Sequence, residues 1–549
     1  MCCGVGNLEV KHSNPRNIYM STLDVADVDV MKATKTCVAA QRFQYDYLND
    51  DITDDGKIDY SLTNKVPAGL RQAIAEGKKI LVLINPPYAE AANRSTLAID
   101  ADEKNKAGVA RTKFSTAAMA DYGKASNELF TQFVARVAQE IPTATIAMFS
   151  TLKYVNAPNF EQFRLNWNAE YLGGFVVHNK AFDGLNGQFP IGFLVWKTNQ
   201  SLKLAITEIQ VEVLDKNANP IGEKTFHNLP NSIYLNVWLR RPKPNTNQVI
   251  PLKNTTTPYT ANKYLDKWSD GAIAYMWCQN NDFQHAEQQT VLFSSVWGDS
   301  HGFYVNSENL WQAAVVFAVR RLYGPTWLND RDQFLQPTHP LSDEFKSDCL
   351  IWMLFHRCNQ TASANELEWN NQTWSIVNHF IPFTEAEVNA PARFESDFMV
   401  QYLAGLPPLP NPPPRRGEGV ISLSLDGSEA NLTASDGGTK RATSLSLDGR
   451  GIEGEGAIYK GLSAEASAVR LAGQVLWQAY FANTDVRNVR DEFKLNRPDV
   501  GWYQIRNALK ARNASGDFTP VSFAEFEAAY KTLGDKLRPQ VYELGFLRK

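Results

Sequence analysis

Cysteine is scarce and unpatterned: six thiols (Cys2, Cys3, Cys37, Cys278, Cys349, Cys358) occur in 549 residues, with no C-x-x-C pair and no histidine at metal-ligand spacing. That argues against a disulfide framework and a zinc site, and it fits a reducing cytoplasm. Long apolar runs are missing too, since no stretch approaches the twenty or so residues of a membrane-crossing helix, and the N-terminus does not read as a signal peptide. A cytoplasmic protein without membrane contact is expected. Charge of one sign is also lacking: 55 basic against 59 acidic residues give a net charge of −4. Such a chain is no polycation, so any grip on nucleic acid must be a local patch. What remains is ordinary globular composition, 44% hydrophobic and 21% charged, in a chain long enough to bury more than one core.

Along residues 1–200, short apolar runs alternate with helical stretches, the pattern of an α/β sheet covered by helices. The strand candidates are 17–23, 79–84, 143–150 and 191–196. Between them Leu129, Phe130, Phe133, Val134, Val137 and Ile141 recur at helical spacing and define one apolar face. From residue 201 the texture shifts to alternating strands such as 206–214, then to a stretch holding Trp238, Trp268, Trp277, Trp297, Trp311 and Trp327, which reads as a mixed α+β second domain to residue 405 with these rings in its core. Consecutive prolines then forbid helix and deny ladder hydrogen bonds, and Ser422–Gly427 recurs as Ser444–Gly449, so 406–457 reads as a flexible low-complexity insertion. Residues 458–549 follow as a helical C-terminal module, with Ser463 as one N-cap and Ser522 with Glu525 as a capping box.

The sharpest chemical signal is Asn85-Pro86-Pro87-Tyr88, directly after the apolar run ending at Ile84. Ligand crevices form at the carboxyl ends of sheet strands, and two prolines hold the backbone in one extended shape there. The Asn85 side-chain oxygen and the Pro86 carbonyl could then each accept one hydrogen of an exocyclic amino group, whose lone pair is otherwise delocalised into its ring. Tyr88 would stack on the base. The bland alternative is a rigid strand-to-loop turn in which Tyr88 merely packs.

Two weaker signals precede it. Gly4 and Gly6 permit a tight turn and close approach of a ligand to the backbone. The next strand candidate leads to Asp24, placed to accept hydrogen bonds from a ribose, with Asp27 as competitor and a solvated helix N-cap as an equal alternative. Asp46 lies in an aromatic setting between Tyr45 and Tyr47, where a carboxylate could receive an adenine amino group and a tyrosine could cover the ring.

Taken in order, the glycine turn, the ribose acid, Asp46-Tyr47-Leu48 and Asn85-Pro86-Pro87-Tyr88 resemble the gamma class of adenine-N6 DNA methyltransferases of bacterial restriction–modification systems, over roughly residues 1–200. The resemblance implies a Rossmann-like α/β sheet that binds S-adenosylmethionine through Gly4, Gly6, Asp24 and Asp46. It implies a flipped adenine in double-stranded DNA held by Asn85, Pro86, Pro87 and Tyr88, with Phe182 or Phe189 as a further clamp and a core aromatic as the stronger alternative. It also implies a target-recognition domain at 201–405, where Arg240, Arg241 and Lys243 form a basic cluster and Arg320 and Arg321 end an apolar helix. In that family a hydrophobic strand precedes the glycine turn, where this sequence has Met1 beside Cys2. A sheet without it lacks its first strand, a central member, and leaves one wall of the cofactor pocket open. A restriction endonuclease and an upstream complementing polypeptide are therefore candidate partners, and a non-catalytic fragment of a split assembly is one alternative function. Methylation of protein glutamine or RNA guanine is another, because the same four residues serve there. The pairs Glu344/Lys346 and Glu492/Lys494 echo nucleases but lack an upstream acid on a strand, and His12, His178 and His356 have no general-base spacing.

Overall fold

A computed structural model of the chain describes Gly6, Leu8 and residues 17–87, 111–182, 185–198, 206–229, 233–243, 269, 271–279, 281–284, 286–287, 289–294, 302–329, 331–362, 366–369, 372–375, 377–405, 461–482, 499–515 and 520–548. The expected insertion at 406–457 lies outside these residues.

The first strands are short and parallel. β1 (Tyr19–Thr22) pairs with β2 (Gln41–Gln44) in register Tyr19 to Gln41, with α1 (Val25–Ala33) between them. After α2 (Ala68–Ala75), β3 (Leu81–Ile84) pairs in parallel with β4 (Thr145–Thr151), Leu81 opposite Thr145 and Ile84 opposite Met148. Their crossover contains α3 (Lys113–Ala118) and α4 (Leu129–Glu140). Two helices, α5 (Lys153–Asn156) and α6 (Glu161–Asn166), lead to β5 (Ala169–His178) and β6 (Pro190–Thr198). With β7 (Glu208–Leu214) and β8 (Pro220–His227) they complete a six-stranded mixed sheet in the order β3-β4-β6-β5-β7-β8. β1 and β2 form a separate two-stranded sheet.

This sheet runs on past the boundary expected at residue 200. Ile209, Val211 and Val213 alternate inward along β7 and bury against the same core as β4 and β6, so the hydrophobic alternation adds β7 and β8 to this unit. β5, by contrast, is not evident in the sequence, because Gly173-Gly174 reads as a break. A Cβ at Gly174 would meet the Phe193 carbonyl oxygen at 2.3 Å, so glycine is what lets β5 lie against β6.

One face of the sheet is covered. Val82, Ile84, Ile146, Met148, Leu194 and Trp196 pack with Leu129, Phe130, Phe133, Val134 and Val137 of α4, the helical face expected from the spacing. The other face, with Leu83, Phe149, Phe175, Phe193 and Val195, is only half-buried.

A second core spans Leu235 to Leu547. It contains α7 (Leu235–Trp238) and a four-stranded sheet, β11-β9-β10-β12, made of β9 (Ala274–Cys278), β10 (Thr290–Phe293), β11 (Gly302–Val305) and β12 (Asn359–Gln360). Helices α8 (Leu310–Arg321) and α9 (Asp343–Leu354) are buried almost all round, the hairpin β13 (Glu366–Trp369) and β14 (Gln372–Ser375) follows, and then α10 (Glu385–Val388) and α11 (Phe398–Leu403). The last helices, α12 (Ala464–Ala482), α13 (Trp502–Ser515) and α14 (Ala524–Glu543), do not stand apart as the expected C-terminal module: Val469, Leu476, Trp477, Ile505, Leu533 and Leu537 complete this core. Helices as apolar as α8 and α9 need cover on every side, and α12 to α14 supply it. Ser463 accepts a hydrogen bond from the Ala466 amide at 3.1 Å, as a cap should, whereas Ser522 only closes a turn onto Ala524 ahead of α14. Trp238, Trp277, Trp311 and Trp327 are partly buried, while Trp268 and Trp297 lie outside the described residues. No described helix is long and apolar enough to cross a membrane.

Candidate functional site

The apolar strand β3 delivers Asn85-Pro86-Pro87 to the carboxyl edge of the six-stranded sheet, where Asn85 and Pro87 are exposed and Pro86 is buried. Burial of the middle ring, together with the fixed proline φ, anchors the corner. Tyr88 lies outside the described residues.

Continuing the β3–β4 register one step past Ile84 and Met148 sets Asn85 level with Phe149. Phe149 is half-buried and sits in an aromatic group, 4.8 Å from Phe193 between ring centroids and 5.4 Å from Phe182. Phe175 stacks on Phe193 at 5.4 Å. Of the two aromatics expected near the corner, Phe182 is thus tied to the neighbouring strand end. Phe189 approaches Gly187 in its own loop.

The residues expected to hold the cofactor are occupied locally. Gly4 lies outside the described residues. Gly6 has φ +85°, and a Cβ there would meet Met20 Cε and Thr36 Cγ2 at 2.8 Å, so close packing and a left-handed turn both require glycine. Asp24 is exposed and caps α1, accepting from the Ala26 amide at 2.9 Å, while Asp27 accepts from Thr22 Oγ1 at 2.7 Å. Asp46 closes its own turn, accepting from the Leu48 amide at 3.2 Å and from Asn49 Nδ2 at 2.8 Å. None of these contacts reaches Asn85; beside them runs a cleft of about 680 Å3 whose lining includes Ser21, Phe43, Tyr45 and Tyr47.

Tyr45 and Tyr47 line that cleft while their hydroxyls are tied into the core. The Tyr45 hydroxyl donates to Asp51 at 3.1 Å and accepts from Arg136 Nη2 at 2.6 Å; Tyr47 and Tyr60 donate to Glu140 at 2.6 and 2.5 Å. Arg136 also donates to the Tyr47 carbonyl and lies 3.3 Å from Glu140 one helical turn away. Burial holds all three phenols well above their usual range, with Glu140 pushing Tyr47 and Tyr60 further up. This network pins residues 45–60 to α4. Its only trace in the sequence is Arg136 and Glu140 at i,i+4 spacing on a helix otherwise dominated by apolar residues.

The basic residues considered for phosphate contact divide. Arg320 is buried and donates to Thr290 Oγ1 and the Gln279 carbonyl, and Arg321 donates to the Glu287 and Thr290 carbonyls, so both hold the helix end to the sheet. Arg240 pairs with Glu308 at 2.7 Å and Arg241 donates to backbone carbonyls, but both stay exposed, as does Lys243. His178 packs on Trp327 and His356 on Trp352, which are structural contacts; His12 lies outside the described residues.

The chain matches no known protein family and no curated protein. Among solved structures it is similar to the ATP-dependent Type ISP restriction-modification enzyme LlaBIII bound to DNA, at 9% identity and a TM-score of 0.26, over 49% of this chain and 19% of that one. A cryo-EM structure of a DrdV–DNA complex is similar at 11% identity and a TM-score of 0.24, over 49% of this chain and 29% of that one. The chain therefore aligns with under a third of either structure's length, and at these scores the function has to be argued from its own residues.

Proposed function

We propose that this chain is the larger part of a site-specific adenine-N6 DNA methyltransferase of a restriction–modification system. The observation that carries the reading is the diproline corner: Asn85-Pro86-Pro87 ends a partly buried parallel strand at the sheet's carboxyl edge, with Asn85 level with the half-exposed Phe149, which packs against Phe182. An adenine swung out of a duplex meets there two oxygen acceptors for its amino hydrogens and an aromatic surface for its ring. Two accepted hydrogens concentrate electron density on the amino nitrogen, and the rigid corner does so with little reorganisation. S-adenosylmethionine would supply the methyl group, and Arg240, Arg241 and Lys243 would meet DNA phosphates.

The local engagement of Gly6, Asp24 and Asp46 favours a second reading, in which the chain is a DNA-binding or partner-binding fragment of a split assembly. Two measurements separate them. In the first, duplexes carrying 2-aminopurine in place of adenine gain fluorescence on base extrusion, and Asn85→Ala and Phe182→Ala reduce that gain. In the second, the chain transfers labelled methyl groups to DNA adenine, and Asn85→Ala lowers turnover by roughly two orders of magnitude, the cost of one lost acceptor, while DNA affinity is retained. Base extrusion without cofactor binding supports the fragment reading. Normal methylation by Asn85→Ala removes the assignment of the corner.

A further inference from the structure

Two exposed side chains without partners among the described residues, the Arg111 guanidinium and the Asn127 amide, line one cavity of about 200 Å3. Ser115, Thr116 and Ser126 line it as well, and no acidic side chain does among the described residues. The two walls are stitched together from beneath. Thr112, next to Arg111, donates to Gln132 Oε1 at 2.7 Å, and Gln132 Nε2 donates to the carbonyl of Ser126, next to Asn127, at 2.7 Å. Gln132 is fully buried, so a polar side chain has been taken out of water to fix the spacing of the segments that carry Arg111 and Asn127. A hydroxyl is also in surplus there. The Thr112 carbonyl has two lone pairs but takes three donors, Ser115 Oγ at 3.0 Å, Thr116 Oγ1 at 3.0 Å and the Thr116 amide at 3.2 Å, so one hydroxyl can turn outward without leaving a buried acceptor bare. The acid next to Asn127, Glu128, is paired with Lys153 at 2.9 Å. That pair also fixes the start of α4 to the carboxyl end of β4, the strand beside β3, so the cavity lies on the same edge of the sheet as Asn85-Pro86-Pro87.

We infer that this cavity is a phosphate subsite: the Arg111 guanidinium and the Asn127 amide donate to the phosphate oxygens, and the surplus hydroxyl of Ser115 or Thr116 adds a third donor. A guanidinium offers paired N–H groups that match two phosphate oxygens. Arg136, whose role is structural, is buried with Glu140 at 3.3 Å, whereas Arg111 is exposed and has no acid beside it among the described residues. The same donors accept a DNA phosphodiester or a free phosphate. The reading of the Asn85 corner as the site of an extruded adenine favours the diester, and only that choice of source rests on it.

The test uses the full chain. Inorganic phosphate, titrated against chloride at constant ionic strength, should raise the melting temperature of the wild type. Arg111→Gln and Asn127→Ala should each weaken phosphate roughly tenfold and leave the melting temperature in chloride unchanged, since both side chains are exposed and bond to no described residue. Arg111→Lys, which keeps the charge but not the paired N–H groups, should recover only part of the loss. Duplex DNA then identifies the source. If a duplex phosphate occupies the cavity, the slope of log affinity against log salt should fall by about one in Arg111→Gln, whatever the duplex sequence. An unchanged slope with the phosphate effect intact assigns the cavity to a free phosphate, and a chain that binds phosphate but no duplex counts against the DNA reading alone. Equal stabilisation of the wild type and Arg111→Gln by phosphate would overturn the inference, as would a wild type that phosphate stabilises no more than chloride does.

Discussion

His379 shows how burial converts one side chain into a pH response. Its Nδ1 lies 2.8 Å from Ser396 Oγ, its ring packs on Phe398, and desolvation pushes its pKa down to about 4. In the unfolded chain the imidazole titrates near 6.5. Between these values the unfolded state binds more protons, so the stabilising contribution is complete above about pH 6.5 and fades as pH falls toward 4, by up to roughly 3 kcal/mol. Urea denaturation at pH 7 and pH 5 should show a steeper loss for the wild type than for His379→Gln; an equal loss in both would assign the acid sensitivity to other groups. At this scale the sequence is legible where chemistry depends on neighbours in the chain, as at Asn85-Pro86-Pro87. It is silent where partners come from afar. Asp24 reads equally as ribose ligand or helix cap until the Ala26 amide is seen on it, and Tyr45 and Tyr47 read as ligand cover until Arg136 and Glu140 are seen to take their hydroxyls.

Helix α12 illustrates what elements demand of one another. Gly473 sits in its middle, where alanine would ordinarily stabilise a helix by about 1 kcal/mol. Here a Cβ would lie 2.2 Å from Phe355 Cε1, and that ring is fully packed among Phe383, Trp477, Trp502 and Phe526. The sign therefore reverses. Gly473→Ala should destabilise the protein by about 1–3 kcal/mol, the usual cost of overpacking, with the far-ultraviolet circular dichroism of the folded state unchanged and the urea midpoint lowered. A raised midpoint would mean that α12 does not approach Phe355 so closely. The element's existence was legible from the Ser463 cap and the run to Phe481 that follows it. Its partner was not, because an apolar helical face specifies only that it must be covered, and many faces would serve.

Across the whole molecule, residues 327–332 make contacts that join the two cores, with Trp327 and Leu328 packed against the first. Lys224 of β8 pairs with Asp332 at 2.7 Å, Asn156 donates to the Arg331 carbonyl, and Trp327 lies on His178. Both members of the ion pair are largely buried, and burial raises the Asp332 pKa against the pull of Lys224. Lys224→Met strands that carboxylate and should cost about 3 kcal/mol, splitting thermal unfolding into two transitions seen by calorimetry. The double variant Lys224→Met, Asp332→Leu should recover most of the loss; if it does not, the contact is more than an ion pair. The sequence by itself determined the positions of β1, β3, β4, β6 and β7 and of α4, α8, α12 and α14, the corner after β3 and the presence of more than one core. Those features rest on alternation, propensity and proline stereochemistry, which act over a few residues. Only the tertiary structure decided that β7 and β8 extend the first sheet, that α12 to α14 complete the second core, and that β1 and β3 face each other across a cleft. Such pairings are chosen by which distant surfaces bury each other, and no local pattern contains that choice.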